Sequence, residues 1–432
     1  MSDDTINPLA PPLGLRWLYV DFNSYFASVE QQMNPRLRGK PVAVIPVETE
    51  TTCAIAASYE AKAFGIKTGT PVWEARKLCP DLICVIGRHN HYVEFHERIL
   101  DEIDRHIPVT KVCSIDEMAC KLMKNEMSVE RTTAIAKSIK GGLAQNIGEY
   151  VRCSIGVAPS KYLSKVATDM QKPDGLTILN PADIPGRLHA LDLRDLPGIG
   201  PNMERRLNLA GIYDIPSLLK LQPKHLRAVW GSIWGEKMWY YLRGYDLPDE
   251  ETERNSIGHS HVLSPEMRPP DKAYTIARRL TMKAAARLRR INYHAGAFSV
   301  SFRIENGPRL GLETKCDPSQ DSFTFLHLLD VLWRELMREA KNKRIKKVNI
   351  VLHGLVADDD LHIQPDLFNQ AQQANQNKQR EKHEKISKAM DALNQKFGRN
   401  TVLLGMTAVQ DSASTESKIA FTRIPDMEEF LE

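Results

Sequence analysis

Two apolar runs of this chain close on carboxylates, and they lie far apart in the sequence. Trp17-Leu18-Tyr19-Val20 leads into Asp21 and Phe22, and Cys113-Ser114-Ile115 leads into Asp116 and Glu117. Runs of this kind read as strands, so a fold that satisfies both brings residue 21 and residues 116 and 117 together across one sheet. Neighbouring strand residues point to opposite faces, so Asp116 and Glu117 reach one point only if the chain bends there. A hairpin bend or bulge is expected at that place. Taken singly, Asp116-Glu117 reads as a solvated hairpin corner and Asp21 as a strand-end residue. Converging beside a cleft, they are hard oxygen ligands that suit Mg²⁺, an ion that keeps open positions for substrate phosphates. A pair of such ions serves in-line phosphoryl displacement.

The chain of 432 residues is 42% hydrophobic, which allows several domains with sizeable cores. No apolar run has the length of a membrane span, and Met1-Ser2-Asp3-Asp4 does not open a signal peptide, so a cytoplasmic protein without a membrane partner is expected. Seven scattered cysteines without a C-x-x-C pair suggest neither a disulfide framework nor a zinc site. The net charge of +4 decides little, but residues 257–354 alone carry roughly +9, which points to a polyanion.

In chain order, Arg16 to Phe22 reads as a buried strand with a helix, Ser24 to Met33, directly behind it. Pro41 to Pro46 reads as a strand, and Cys53 to Phe64 as a short strand entering a helix that Gly65 caps. Val93 to His106 reads as a helix, followed by strands over Val109 to Cys113 and Glu117 to Met123. Glu130 to Ile147 is an amphipathic helix, Tyr150 to Val157 a strand, and Ser160 to Met170 a helix carrying Lys161 and Lys165.

These pieces resemble the Y-family translesion DNA polymerases, the group that includes bacterial DNA polymerase IV and the catalytic subunit of polymerase V. The resemblance rests on VDFNSYFASVE (Val20 to Glu30), ASYEAKAFGIKTGTP (Ala57 to Pro71), LCP (Leu78 to Pro80), SIDE (Ser114 to Glu117) and SIGVAPSKYLSKVATDMQKPDG (Ser154 to Gly175). It implies a multidomain α+β right hand: a lead at 1–14, a palm from 15–24 and 89–179, fingers at 25–88, a helical thumb at 180–245, a linker at 246–256 and an α+β little finger at 257–356. By the same resemblance, Asp21, Asp116 and Glu117 are catalytic and hold two Mg²⁺ with the backbone carbonyl of Phe22. Tyr59, Lys62 and Lys172 hold the incoming deoxynucleoside triphosphate, and Phe26 is the steric gate against a 2′-hydroxyl. Many members carry aspartate where this chain has Asn23, which is similar to the polymerase V branch. Many also carry arginine where it has Lys62, and lysine grips phosphate as a point charge rather than bidentately.

Leu196-Pro197-Gly198-Ile199-Gly200 looks like the turn of a helix-hairpin-helix, in which Gly198 and Gly200 let backbone N–H groups approach a DNA phosphate. Leu247 to Arg254 reads as a charged tether. The helix Ala273 to Ile291 is crowded with Arg278, Arg279, Arg287, Arg289 and Arg290. It is expected to lie along primer–template DNA and contact phosphates, although a solvated basic face has the same pattern. Phe298 to Ile304, a helix near Phe323 to Lys341 and the strand Val348 to Leu352 complete that unit.

Gln364-Pro365-Asp366-Leu367-Phe368 resembles the pentapeptide by which bacterial polymerases bind the sliding clamp, with Gln364, Leu367 and Phe368 as its anchors, inside a flexible segment at 357–383. Gln370 to Lys382 reads as a disordered linker. In the tail at 384–432, Ile386, Met390, Leu393 and Phe397 form a helical stripe stopped by Gly398, which docks on the body or binds a further protein partner. The expected activity is template-directed, low-fidelity DNA synthesis in lesion bypass. A non-catalytic clamp-tethered accessory protein and a DNA-binding repair factor are the alternatives.

Overall fold

The structure, a computed structural model, describes residues 14–249, 255–360, 370–398, 401–402, 404–405 and 424–425. The chain divides into two units, Met1–Asp249 with Thr415–Phe430, and Glu250–Ser414 with Leu431–Glu432.

The first unit is built on a five-stranded sheet in the order Lys111–Ser114, Glu117–Lys121, Trp17–Phe22, Cys153–Ala158, Leu176–Ile178. Trp17–Phe22 is flanked by antiparallel neighbours on both sides and buried at every position. Its alternation sorts two faces: Leu18, Val20 and Phe22 enter the main core with Tyr92, Ile99, Ile135 and Ile139 of two long helices, while Trp17 and Tyr19 meet Ala119 on the other face. The helix Lys161–Met170 lies on that second face. It sits flush because Gly156 has no side chain: a Cβ there would come 2.1 Å from the carbonyl oxygen of Ser164 and 2.7 Å from the amide nitrogen of Thr168. Ser160 caps this helix by accepting from the N–H of Leu163 at 3.3 Å.

A three-stranded sheet, Ala56–Ala57, Val42–Ile45, Ile83–Ile86, forms a second small core. The helix expected to reach Phe64 is a single turn, Tyr59–Lys62, capped by Ser58, with Gly65 at a φ of 84° behind it. Four short helices, Pro201–Leu209, Ile215–Leu219, Pro223–Trp230 and Ile233–Tyr241, share a core with Leu163, Val166 and Ala167 of the flush helix. The start of the charged tether is fastened down: the Trp17 indole N–H donates to Asp246 at 2.8 Å, and Asp249 pairs with Lys161 and, at 2.7 Å, with Lys111.

The second unit is a four-stranded antiparallel sheet in the order Arg309–Ser319, Tyr293–Ile304, Ile345–Ala357, Ser256–Val262, with the helices Pro270–Arg290 and Ser322–Ala340 packed on one face. The first and last of these strands escape a reading by pattern, because glycine, serine, histidine and charged residues dilute their apolar alternation.

Two expectations are corrected here. Gln370 to Lys382 is not a disordered linker but the first half of a helix, Gln370–Phe397. Glutamine, alanine, lysine, arginine and glutamate are good helix formers, no glycine or proline interrupts the run, and tertiary contacts anchor it. His383 stacks on Phe323, Ser387 accepts from the Ser322 N–H and Met390 is buried, so the helix docks on the unit. Ile386, Leu393 and Phe397 of the expected stripe stay exposed. The second correction is Arg289, which does not face a phosphate. Its guanidinium is buried, forks onto Asp391 at 2.6 and 2.8 Å and donates to the Gln320 carbonyl. Arg278 is likewise half-buried against Tyr274, Asp330 and the Leu404 carbonyl. The pentapeptide Gln364 to Phe368 lies outside the described residues.

Candidate active site

Strand pairing alone sets the first two carboxylates together. Asp21 stands directly opposite Glu117 in the antiparallel register, both on the face that carries the flush helix. The expected bend is a two-residue turn at Ile115-Asp116, and the pairing of the two strands it joins is irregular between Val112 and Ser114. Through that turn Asp116 leaves the alternation. Its carbonyl accepts from the Phe22 N–H at 2.9 Å, which ties the turn to the strand end beside Asp21. Its carboxylate accepts from the Ser114 hydroxyl at 2.6 Å.

Lys165 is the residue that the spacing of acidic centres did not single out. Its ammonium lies between the two strands' carboxylates, paired with Asp21 and, at 2.8 Å, with Glu117, and it reaches Asp169 one turn along at 3.4 Å. Lys172 pairs with Asp21 at 2.8 Å and with Asp169 at 2.6 Å. Tyr19 donates to the second oxygen of Glu117 at 3.0 Å. The spacing of Lys161, Lys165 and Asp169 at i, i+4, i+8 marks one helix face in the sequence but not what that face meets.

The charges respond to one another. Burial raises the Asp116 carboxyl above its usual range, helped by the negative charges of Glu117 and Asp21, while Ser114 and Lys165 pull the other way. Burial disfavours the Lys165 ammonium, but Asp21, Glu117 and Asp169 outweigh it and hold the group firmly charged. Lys172 is raised in the same manner. Lys62 is lowered by burial and by the like charge of Lys172, and burial raises Tyr59, with Lys172 opposing. Tyr59 and Lys62 thus lie within electrostatic reach of Lys172 and Asp21. The Lys62 ammonium itself rests 4.4 Å from the centre of the Tyr59 ring.

Asn23 has a structural explanation. It is buried, its carbonyl oxygen accepts from the Asp174 N–H at 2.7 Å and its amide donates to Ser154 at 3.0 Å, so it clips the loop after Lys172 to the end of the strand. Phe26 is stacked on Tyr92. Gly198, at a φ of 95°, and Gly200 are exposed in a turn held by buried Leu196 and Ile199, and the Tyr162 hydroxyl donates to the Pro197 carbonyl at 3.0 Å.

A divalent cation suits this donor set. The carboxylates are hard oxygen ligands, and an ammonium already lies between two of them. Among the described residues no three histidine, cysteine, aspartate or glutamate side chains converge closely enough to hold a metal as they stand. Lys165 lies between Asp21 and Glu117, and Asp116 is turned to Ser114.

Known proteins match along most of the chain. The impB/mucB/samB family model matches residues 20–169, a DNA polymerase-iota thumb domain residues 194–246, and the impB/mucB/samB family C-terminal domain residues 254–367. DNA polymerase IV of Moorella thermoacetica is 33% identical over 396 residues, covering 89% of this chain and 94% of that protein. DNA polymerase IV of Saccharolobus solfataricus is 35% identical over 255 residues, 57% of this chain and 70% of that one. Among solved structures, a Y-family DNA polymerase chimera of Dbh and Dpo4 superposes with a TM-score of 0.68 at 26% identity, over 79% of this chain and 99% of that one.

Proposed function

Since the chain belongs to the Y-family of DNA polymerases, it is a DNA-directed DNA polymerase of the translesion type, and we propose that Asp21, Asp116 and Glu117 are the ligands of its catalytic metal ions. The enzymes of this family are metal-dependent. Two Mg²⁺ ions held here would activate the primer 3′-hydroxyl and neutralise the departing pyrophosphate. The observation that carries the reading is the cross-strand pair Asp21 and Glu117 with Asp116 in the adjoining turn. The backbone carbonyl of Phe22, next in the chain after Asp21, would complete the ligand set. Lys172 and Lys62 bring positive charge to the triphosphate, Tyr59 flanks it, and Phe26 presents its ring to the sugar. Substrates are therefore dNTPs and primer–template DNA.

The DNA surface follows from which face of the second sheet is uncovered. Helices cover one face; on the other, strand register lines up Arg309, Arg303 and Lys347 across three strands, all exposed. The next row, Gly311, Ser301, Asn349 and Ser260, is small and polar. A basic row beside a low, polar surface suits a phosphate backbone read without base contacts. The exposed turn residues Gly198 and Gly200 supply a second such contact. Arg279, Arg287 and Arg290 lie on the helix over the opposite face and would be a separate contact, and Arg289, paired with Asp391, is no part of either.

Primer extension on a primed template tests the whole reading. Synthesis is expected to require Mg²⁺ and to follow the template; binding of primer–template without extension would favour the accessory-protein alternative. A second arm tests the clamp. Leu367 and Phe368 suit an apolar pocket on a sliding clamp, with Gln364 orienting them, and tethering to a ring raises the effective concentration at the primer end. The double substitution Leu367→Ala with Phe368→Ala should leave distributive synthesis intact and remove stimulation by the cognate clamp. Stimulation that survives it would put the tether elsewhere, with the exposed Ile386, Leu393 and Phe397 next in line.

A further inference from the structure

A ring excludes a hydroxyl group only if it cannot retreat, and the surroundings of Phe26 show what keeps it in place. Its ring lies on that of Tyr92 with centroids 4.4 Å apart and planes 14° from parallel, and the His89 ring meets it edge-on at 5.8 Å. Tyr92 is fully buried. Its hydroxyl donates to Glu30 at 2.8 Å, and its carbonyl accepts from the Tyr25 hydroxyl at 2.6 Å. Glu30 is itself completely buried, and its carboxylate is gripped by both ends of the Arg88 guanidinium fork. Arg88 stands immediately before the helix that carries Tyr92, and Glu30 lies one turn beyond Phe26 on its own helix. The two helices are thus locked together by one charged pair, buried on the Glu30 side and open to solvent on the Arg88 side, and one stacked pair of rings.

We propose that Tyr92, held by Glu30 and Arg88, is a positioning residue that fixes the Phe26 ring and thereby sets discrimination against ribonucleotides. Tyr92 touches no substrate; it removes the space into which Phe26 would otherwise tilt when a 2′-hydroxyl presses on it. Side chains packed at interior density have no free volume to yield, and a rejection resting on a fraction of an ångström is lost when the backing is lost. This rests on the reading of Phe26 as the ring that faces the sugar.

The test is single-nucleotide primer extension by the full chain with a dNTP and the matching rNTP. Tyr92→Leu should lower the ratio of kcat/KM for dNTP over rNTP by about tenfold or more, through a gain with rNTP, while dNTP insertion stays within about threefold. Tyr92→Phe keeps the stacked ring and gives up only the bond to Glu30, so it should hold the ratio within about threefold of the parent. In a Phe26→Ala background, Tyr92→Leu should change the ratio no further. If Phe26→Ala lowers the ratio but Tyr92→Leu leaves it unchanged, the inference is overturned and the reading of Phe26 stands. If Phe26→Ala leaves the ratio unchanged, the reading of Phe26 is what fails. Melting curves accompany each variant; should Tyr92→Leu not fold, Tyr92→Met, which fills the space with a flexible chain, is judged by the same ratio.

Discussion

Asp116→Ala is expected to lower kcat/KM for nucleotide addition by about 10³-fold or more, equivalent to about 4 kcal/mol of transition-state stabilisation, while the affinity for primer–template stays within about twofold. The separation follows from where the groups lie. Asp116 is half-buried in a turn of the first unit, against Phe22 and Ser114, and the basic row of Arg303, Arg309 and Lys347 belongs to the second. Losing this carboxylate also removes a negative charge that repels Glu117 and Asp21. The variant should therefore fold at least as stably as the parent, and a drop in activity cannot be traced to unfolding. Glu117→Ala should be as damaging to catalysis but less neutral in structure, because Tyr19 and Lys165 both lose a partner. Extension by the Asp116→Ala protein at the parent rate would remove the metal-ligand assignment.

The triple substitution Arg303→Ala, Arg309→Ala, Lys347→Ala should weaken primer–template binding by roughly 10²- to 10³-fold at about 0.1 M salt. It should also flatten the log–log salt dependence by about 2.7, since each phosphate contact contributes about 0.9. The loss should be the same for unrelated DNA sequences; a sequence-selective loss would mean that base edges, not phosphates, are being read. Arg289→Ala is the contrasting variant. It deletes a fork onto Asp391 and leaves the Gln320 carbonyl without its donor, so it should cost roughly 1–3 kcal/mol of stability, at the lower end because Asp391 is partly exposed. Its salt dependence of DNA binding should equal the parent's. Were Arg289→Ala to flatten the salt dependence with melting unchanged, the arginine would have to leave its buried pair to meet DNA.

The carboxylates were legible in the sequence because each closes an apolar run, and strand alternation needs only a bend to bring Asp116 beside Glu117. The site's lysines were legible in part: the motif resemblance singled out Lys62 and Lys172. Lys165 showed itself only in three dimensions, since helix periodicity says that it shares a face with Asp169 and not that this face lies on Asp21. Arg289 misled for the same reason. A run of arginines on a helix fixes their angular positions, while the partner that neutralises one of them, Asp391, lies on an element more than a hundred residues on. Gln370 to Lys382 misled because a polar, charged composition fits a solvated coil and a solvated helix equally. What separates them is whether the next two turns find a surface, and Ser387 and Met390 do.

The flush seating at Gly156 has a bearing on how a mutational scan of this enzyme would read. A methyl group there would lie 2.1 Å from a backbone oxygen, where ordinary contact begins at 3.4 Å, so any substitution must lift the helix Lys161–Met170 off the strand. That helix carries Lys165 and Asp169 and leads into Lys172, so the displacement arrives undiminished at Asp21. Scored by growth or by synthesis, position 156 would look like a catalytic residue; scored by solubility, it would look like ordinary core. Only the two scores together would identify it as a spacer, a site whose information content lies in having no side chain at all.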